Sequence, residues 1–347
     1  MTSKNPKTMS QGKKLIHQTN SNFFKDKKIL VTGAAGSIGS ELCAQIAKLN
    51  PKLLIISDIS ETELFYLDMK LREEFPKLKI ETKILDIKDM PGIDLLFKKF
   101  KPDTVFHAAA FKHISLMEDH PREAILNNVL GTKNLLEKAN RYQVKDFINI
   151  STDKAVEPKS VMGASKRIVE KFIMASNYKF RVVSVRFGNI IGSRGSILPI
   201  LEKQINRGGP VTITDKRMTR YFMTANEAAY LLLEVAAIGH NQKIFMFDMG
   251  KPIKILDMAT NLVNAHNKCK KAKIKISFVG KKKGEKISEK LCSDDEEMIP
   301  TERSKIFMIT SKRNINKKFS KKVANLVKYC QMNDDQKIIK IIMSLAN

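Results

Sequence analysis

The chain has 347 residues, 43% of them hydrophobic and 28% charged, with a formal net charge of +26. That length supports one large domain or two modest ones with a proper core, and the composition excludes a disordered chain and a fibrous repeat. No run of about 18 apolar residues reads as a membrane span, and the polar, basic stretch 1–28 has no apolar core of the secretory-signal kind.

The positive charge is carried by 50 Lys and only 12 Arg. Residues 265–347 hold 21 Lys/Arg against 9 Asp/Glu, and residues 1–28 hold seven against one. Readers of bases and phosphates lean on Arg, so nucleic acid is not the expected partner. The basic ends read as solvated faces, with weak contact to an anionic membrane surface as the alternative. Cys43, Cys269, Cys292 and Cys330 lack Cys-x-x-Cys spacing and have no His at ligand spacing. No metal site or disulfide framework is expected, and reduced thiols suit a cytoplasm.

In chain order, residues 1–26 read as a flexible basic arm. Apolar runs at 28–32, 53–58, 80–85, 104–108, 147–151 and 181–186 read as buried strands, with helical periodicity at 38–49 and 61–75 among the segments between them. This alternation predicts an α/β, Rossmann-type doubly wound parallel sheet. After about residue 190, Gly192, Gly195, Gly208, Gly209 and Pro210 punctuate loops. A short strand is expected at 211–214 and a helix at 225–238. The expected division is a dinucleotide-binding domain over 27–190, with 215–260 returning to it. A smaller, discontinuous C-terminal substrate-binding lobe and basic extension take 191–214 and 261–347. The acidic patch 294–297 reads as an exposed loop.

The first strand runs into Gly33-Ala-Ala-Gly36-Ser-Ile-Gly39 and then a helix. Gly33 permits the tight turn, Gly36 lets backbone approach a pyrophosphate, and Gly39 lets helix and strand pack closely. Ser37 and Ile38 open the helix whose N-terminus stabilises phosphates. Asp58 ends the second strand, about 20 residues on, where a carboxylate binds ribose hydroxyls and repels a 2′-phosphate; this favours NAD over NADP. Asp86 is expected near the adenine edge. Ala108 and Ala109 leave room for the dinucleotide to cross the sheet, and His107 reads as a satisfied strand-end histidine. Met117, Met162, Met218 and Met223 read as core filling.

The fifth strand ends in Ser151-Thr152-Asp153-Lys154, followed by Met162-Gly-Ala-Ser-Lys166. Short-chain dehydrogenases carry Tyr-x-x-x-Lys at this place; here Met162 replaces the Tyr and cannot carry a proton. With Val31–Glu41, His107–His113, Leu116–Asp119, Asn127–Thr132, Ser151–Ala155, Met162–Arg167, Val185–Asn189 and Met218–Met223, the chain resembles the nucleotide-sugar 4,6-dehydratases of the extended short-chain dehydrogenase/reductase superfamily. The resemblance spans roughly 28–260, with Gly284-Glu-Lys286 as a remnant beyond.

The resemblance implies UDP-N-acetylglucosamine as substrate and a tightly held, recycled NAD. Oxidation at sugar C4 acidifies the C5 proton, water is eliminated across C5–C6, and C6 is reduced. Asp153 matches the family's acid and Lys154 its base, roles for which burial would have to shift both groups. Thr152 is expected at the C4 oxygen and Lys166 at the nicotinamide ribose. Met in the Tyr position resembles the subgroup that retains C5 configuration. Lys112, Arg186, Asn189, Arg217 and Arg220 are the candidates for the substrate, the last four for its UDP end. Larger relatives of this type carry N-terminal membrane helices, so a soluble, stand-alone version is expected, assembled as a homo-oligomer. The rivals are a C5-inverting dehydratase, a UDP-sugar 4-epimerase and a non-catalytic NAD-binding scaffold.

Overall fold

The computed structural model describes residues 22–270, 273–312, 318–330 and 334–347. Strands β1 (Lys28–Thr32), β2 (Leu53–Asp58), β3 (Ile80–Ile84), β4 (Thr104–His107), β5 (Asp146–Ile150) and β6 (Arg181–Arg186) are six of the nine strands of one sheet. The two-residue β7 (Asn189–Ile190), β9 (Thr219–Arg220), β10 (Phe222–Met223) and β12 (Ile253–Lys254) pair outside it, as do β8 (Val211–Ile213) and β13 (Ile276–Phe278). β11 (Lys243–Phe247), β14 (Glu296–Pro300) and β15 (Ile306–Ser311) complete the large sheet, whose order is β14-β15-β11-β6-β5-β4-β1-β2-β3. Seven strands run parallel, and the β14–β15 hairpin closes one edge antiparallel. The order reverses between β1 and β4. In such sheets, ligands bind beyond the strand carboxyl ends at that switch point.

The sheet is apolar on both faces, as a parallel sheet wound by crossover helices must be. On one side lie α1 (Ser37–Lys48) and α2 (Glu61–Glu74). On the other lie α3 (Met90–Phe100), α4 (Ile114–Asp119), α5 (Pro121–Ala124), a π-helical stretch (Ile125–Gly131), α6 (Thr132–Arg141) and α7 (Val161–Ala175). The small lobe contains α8 (Ile197–Asn206), and α9 (Ala225–Ile238) returns to the sheet beside α1. α10 (Ile255–Lys270) packs in the lobe with Leu201, Val211, Ile213 and Met218. Finally α11 (Phe319–Tyr329) and α12 (Asp335–Ala346) lie against α7.

Three expected boundaries are corrected. The arm ends before Phe24, which is fully buried with its ring 6.1 Å from that of Phe106; residues 1–21 lie outside the described residues. Phe222 and residues 253–270 stay in the small lobe, so only 223–249 returns to the sheet side. Much of the presumed C-terminal extension belongs to the main body. β14 and β15 extend the sheet, and Phe319, Val323, Leu326, Ile338 and Ile342 share a core with Met162 and Ile168. Its lysines mask this in composition, because amphipathic helices bury one stripe and solvate the rest. Among the described residues, no helix is long and apolar enough to cross a membrane.

The acidic patch is also corrected. Glu296 opens β14 and is buried, where it meets Arg186. Arg186 has no exposure. Its Nε and Nη2 donate to Glu170 at 2.8 and 2.7 Å, and its Nη1 and Nη2 donate to Glu296 at 2.8 and 2.9 Å. Burial alone would depress the guanidinium's pKa, but the two carboxylates raise it overall. Burial likewise opposes ionisation of Glu170, and Arg186 overrides it and holds that carboxyl below its usual range. Arg186 therefore joins β6, α7 and β14, commits four of its five N–H donors to the two carboxylates and, with no exposure, presents none to a UDP phosphate. We predict that Arg186→Ala, which leaves two buried carboxylates sharing Arg167 alone, costs about 3–5 kcal/mol of stability in urea unfolding. A substrate ligand would instead raise KM at unchanged stability.

Candidate active site

The cleft at the β1/β4 switch point is built by close backbone approach. Gly33 has φ +67°, and a Cβ there would stand 2.4 Å from the amide nitrogen of Ala109. A Cβ on Gly39 would stand 2.0 Å from the Gly33 carbonyl oxygen. Only glycine fits either place, and the result sets the start of α1 directly on the loop. Gly36 caps α1 without a side chain, so the amides that open the helix at Ser37 and Ile38 present the positive end of its dipole. A cleft of about 250 Å³ opens here, with Gly36, Asp58, Asp86, Ala108, Ala109 and Arg194 in its wall. Asp58 is aimed by two amides, accepting from Ala35 at Oδ2 and Ser60 at Oδ1, both at 3.0 Å. Asp86 accepts from the Lys88 amide at 2.8 Å. A bare glycine loop, a free helix start and a fixed carboxylate at the next strand's end together fit a dinucleotide.

His107 is fully buried below the cleft. Thr132 donates its hydroxyl proton to the Asn128 carbonyl, so its oxygen must accept from His107 Nε2, and Nδ1 accepts from Thr32. Burial, and then the charge of Lys166, lower its pKa to about 3. A neutral imidazole with both nitrogens engaged is structural.

β5 ends beside this cleft. Ser151 donates to Glu170 at 2.6 Å, and one 3-10 turn follows at Asp153–Ala155. Asp153 is fully buried. Its Oδ1 accepts from the Thr152 hydroxyl and from Lys154 Nζ, both at 2.9 Å, while Oδ2 has no protein partner. Lys154 Nζ also donates to Asn189 Oδ1 at 2.8 Å. Asn189, expected at the UDP end, thus uses its carboxamide oxygen to aim Lys154. Lys166 Nζ donates to the Ile150 carbonyl at 2.8 Å, and burial lowers its pKa to about 8 against the opposing pull of Glu170. Met162, one turn earlier on α7, is buried in the core.

The other predicted phosphate ligands separate. Arg217 is exposed and forked onto its neighbour Asp215. Arg220 is buried and donates to the carbonyls of Thr219, Lys286 and Ile287, so it fastens the 281–289 loop rather than presenting a free fork. Lys112 is exposed on the loop after β4, its pKa lowered by desolvation and then by the charge of Arg194.

Three residues that sequence reasoning left out shape the site. A Cβ on Gly163 would stand 2.3 Å from the Lys154 carbonyl oxygen, so this glycine seats the Asp153–Ala155 turn against α7. Its only signal was its place inside the Met162–Lys166 motif. Asn128 sits on the π-helical stretch and binds the Phe111 backbone at both atoms and the Ser165 hydroxyl. The widened turn that presents it leaves no mark in side-chain periodicity. Arg194 arrives from a loop with no regular pattern.

The profile of the polysaccharide biosynthesis protein family matches residues 29–311. The chain is 46% identical over 281 residues to the probable polysaccharide biosynthesis protein EpsC of Bacillus subtilis, covering 80% of this chain and 46% of that protein. It therefore spans about half the length of that relative. It is 36% identical over 285 residues to a UDP-glucose 4-epimerase of Rickettsia bellii, covering 79% of this chain and 80% of that one. Among solved structures, Pen from Bacillus thuringiensis superposes with a TM-score of 0.78 at 32% identity, covering 85% of this chain and 91% of that one. With the family profile running from β1 to the end of β15, the chain belongs to the polysaccharide biosynthesis protein family, built on an extended short-chain dehydrogenase/reductase fold.

Proposed function

We propose that this protein is an NAD-dependent 4,6-dehydratase that converts UDP-N-acetylglucosamine to the UDP-4-keto-6-deoxy sugar with C5 configuration retained. The observation that carries the reading is Asp153, a fully buried carboxyl with one oxygen committed to Thr152 and Lys154 and the other without a protein partner. Buried polar atoms are paired in nearly all cases, so an unpaired one beside a lysine and a dinucleotide-type cleft supports a reacting ligand there.

NAD, when bound, supplies the oxidising equivalent at sugar C4 and returns it as a reducing equivalent at C6. The chain's residues do the rest. Thr152 orients the C4 oxygen, and as C4 is oxidised the proton of the C4 hydroxyl passes through the Thr152 hydroxyl to Asp153. With C4 a ketone, Lys154, aimed by Asp153 and Asn189, takes the proton from C5. The C5–H electron pair becomes the C5=C6 bond, the C6–O bond breaks, and the oxygen leaves as water with the proton of Asp153; as C6 is reduced, the Lys154 ammonium, exchanged with solvent, returns a proton to C5. Lys166 holds the nicotinamide ribose, and Met162 fills the place of a hydroxyl-bearing side chain and keeps that wall dry. Asp58 takes the adenosine ribose hydroxyls, and Lys112 is the cation proposed for the diphosphate of the sugar nucleotide, since Arg217 is committed to Asp215. The reading carries with it a cytoplasmic enzyme acting as a homo-oligomer in polysaccharide or glycoconjugate synthesis.

A second reading, a UDP-sugar 4-epimerase, is favoured by the name of the Rickettsia relative. It shares the oxidation at C4 and has no use for an acid and a base across C5–C6. Incubation with UDP-N-acetylglucosamine separates them by mass: the dehydratase product is lighter by one water, and the epimer is unchanged. Asp153→Asn and Lys154→Ala should each lower dehydration by about 10²–10⁴-fold with NAD binding intact. Wild-type turnover in either variant removes the pair from the mechanism.

The place of Met162 gives a stereochemical prediction. In deuterated water the product should carry deuterium at C5 with D-xylo couplings by NMR; an L-arabino product overturns retention. Met162→Leu conserves volume and should cost less than about 1.5 kcal/mol with activity kept, whereas Met162→Tyr should slow dehydration.

Lys166 gives a pH prediction. Its ammonium, lowered to about 8, is charged below that pH and lost above it. NAD affinity, measured by titration calorimetry from acid to alkaline buffer, should weaken as pH rises through about 8. Lys166→Met should bind weakly at every pH and show no such limb.

A further inference from the structure

Arg194 lies between β7 and α8, on a segment bracketed by two glycines of positive φ, Gly192 and Gly195, both at +68°. It reaches back across the chain to the glycine loop of the cleft. Its amide donates to Ser37 Oγ at 3.2 Å, its Nη2 to the Ala35 carbonyl, and its Nη1 to the Glu63 carboxylate on α2. Ala35 and Glu63 both stand in the cleft wall with Arg194 itself. The segment is seated at a second point: a Cβ on Gly195 would stand 2.5 Å from the His113 ring, next to Lys112. Gly192, in contrast, has nothing within 4 Å of a Cβ position. One side chain thus ties together the glycine loop, the start of α2 and the segment leading into the small lobe.

We propose that Arg194 is a clasp on the bound dinucleotide, which leaves the cleft only when the 192–195 segment swings away from Ala35 and Glu63. The clasp rests on the reading of this cleft as an NAD site and is independent of whether the reaction is a dehydration or an epimerisation. It closes the cleft over the adenosine ribose and diphosphate stretch, because Ala35 lies between the turn glycine and the free start of α1, and Glu63 lies just beyond Asp58. Glu63 orients the guanidinium. The same geometry ties cofactor release to the small lobe, since α8 begins at Ile197 and carries Leu201 and Ile205 into that lobe's core.

The test is the rate of cofactor release. Protein loaded with NADH is mixed with excess NAD, and loss of bound NADH fluorescence is followed in a stopped flow. Arg194→Ala removes two charge-assisted hydrogen bonds and should release NADH about tenfold faster or more, with association little changed. Glu63→Gln should fall between wild type and Arg194→Ala, as should Arg194→Lys, whose single ammonium does not span both partners. Far-ultraviolet circular dichroism and the Tm of NADH-free protein should match wild type, since the pair is at the surface. Release within twofold of wild type in Arg194→Ala overturns the clasp. Failure of wild-type protein to take up NADH overturns the NAD reading and the clasp together.

Discussion

A guanidinium with no exposure, held between two carboxylates from distant parts of the chain, fixes the geometry on which the site depends. Arg186 joins β6 to Glu170 on α7 and to Glu296 on β14. Glu170 also takes the Ser151 hydroxyl, and Arg167 adds a second cation to both acids. Burying such a cluster is costly, and good geometry with every partner in place is what makes it tolerable. The consequence is local rigidity where it matters. Ser151 immediately precedes Thr152 and Asp153, and Lys166 is one helical turn before Glu170.

That frame explains how a single 3-10 turn can hold Asp153 and Lys154 side by side. Gly163 lets α7 come against the Lys154 carbonyl, and the Thr152 hydroxyl and Asn189 carboxamide take up the remaining freedom of the pair. The arrangement leaves one oxygen of Asp153 without a protein partner in a fully buried position. Elsewhere around the cleft the buried titratable groups are neutralised or answered. His107 is held neutral by burial, and Lys166 is poised by burial against the nearby Glu170. Among the described residues, the buried polar atoms left without a protein partner here include Asp153 Oδ2 and, in the cleft wall, Ser57 Oγ.

Met162 shows how a missing functional group is compatible with an intact scaffold. The position stays buried in the same core as α11 and α12, and Lys166 remains one turn away. The C-terminal helices thus pack directly behind the helix that carries Lys166, which gives the basic end of the chain a structural role. The Gly284–Lys286 remnant has a similar one: Lys286 donates to the Val156 carbonyl at 2.6 Å, and Arg220 holds the loop's backbone from the other side.

The sequence by itself determined the parallel sheet through β6, the glycine loop, Asp58 and the Thr152–Lys154 run. Strand periodicity and turn chemistry are local, and these motifs place their atoms through neighbouring residues only. Tertiary structure decided the meaning of the charges. Arg186 reads as a phosphate ligand until Glu296, 110 residues away, is found against it. The acidic patch reads as a solvated loop until β14 pairs with β15, and Arg194 reads as loop until it meets Ala35, 159 residues back. The destination of a charged side chain depends on its counter-ion and its burial, and both are set by how the sheet is ordered and closed. No window of the sequence contains that information.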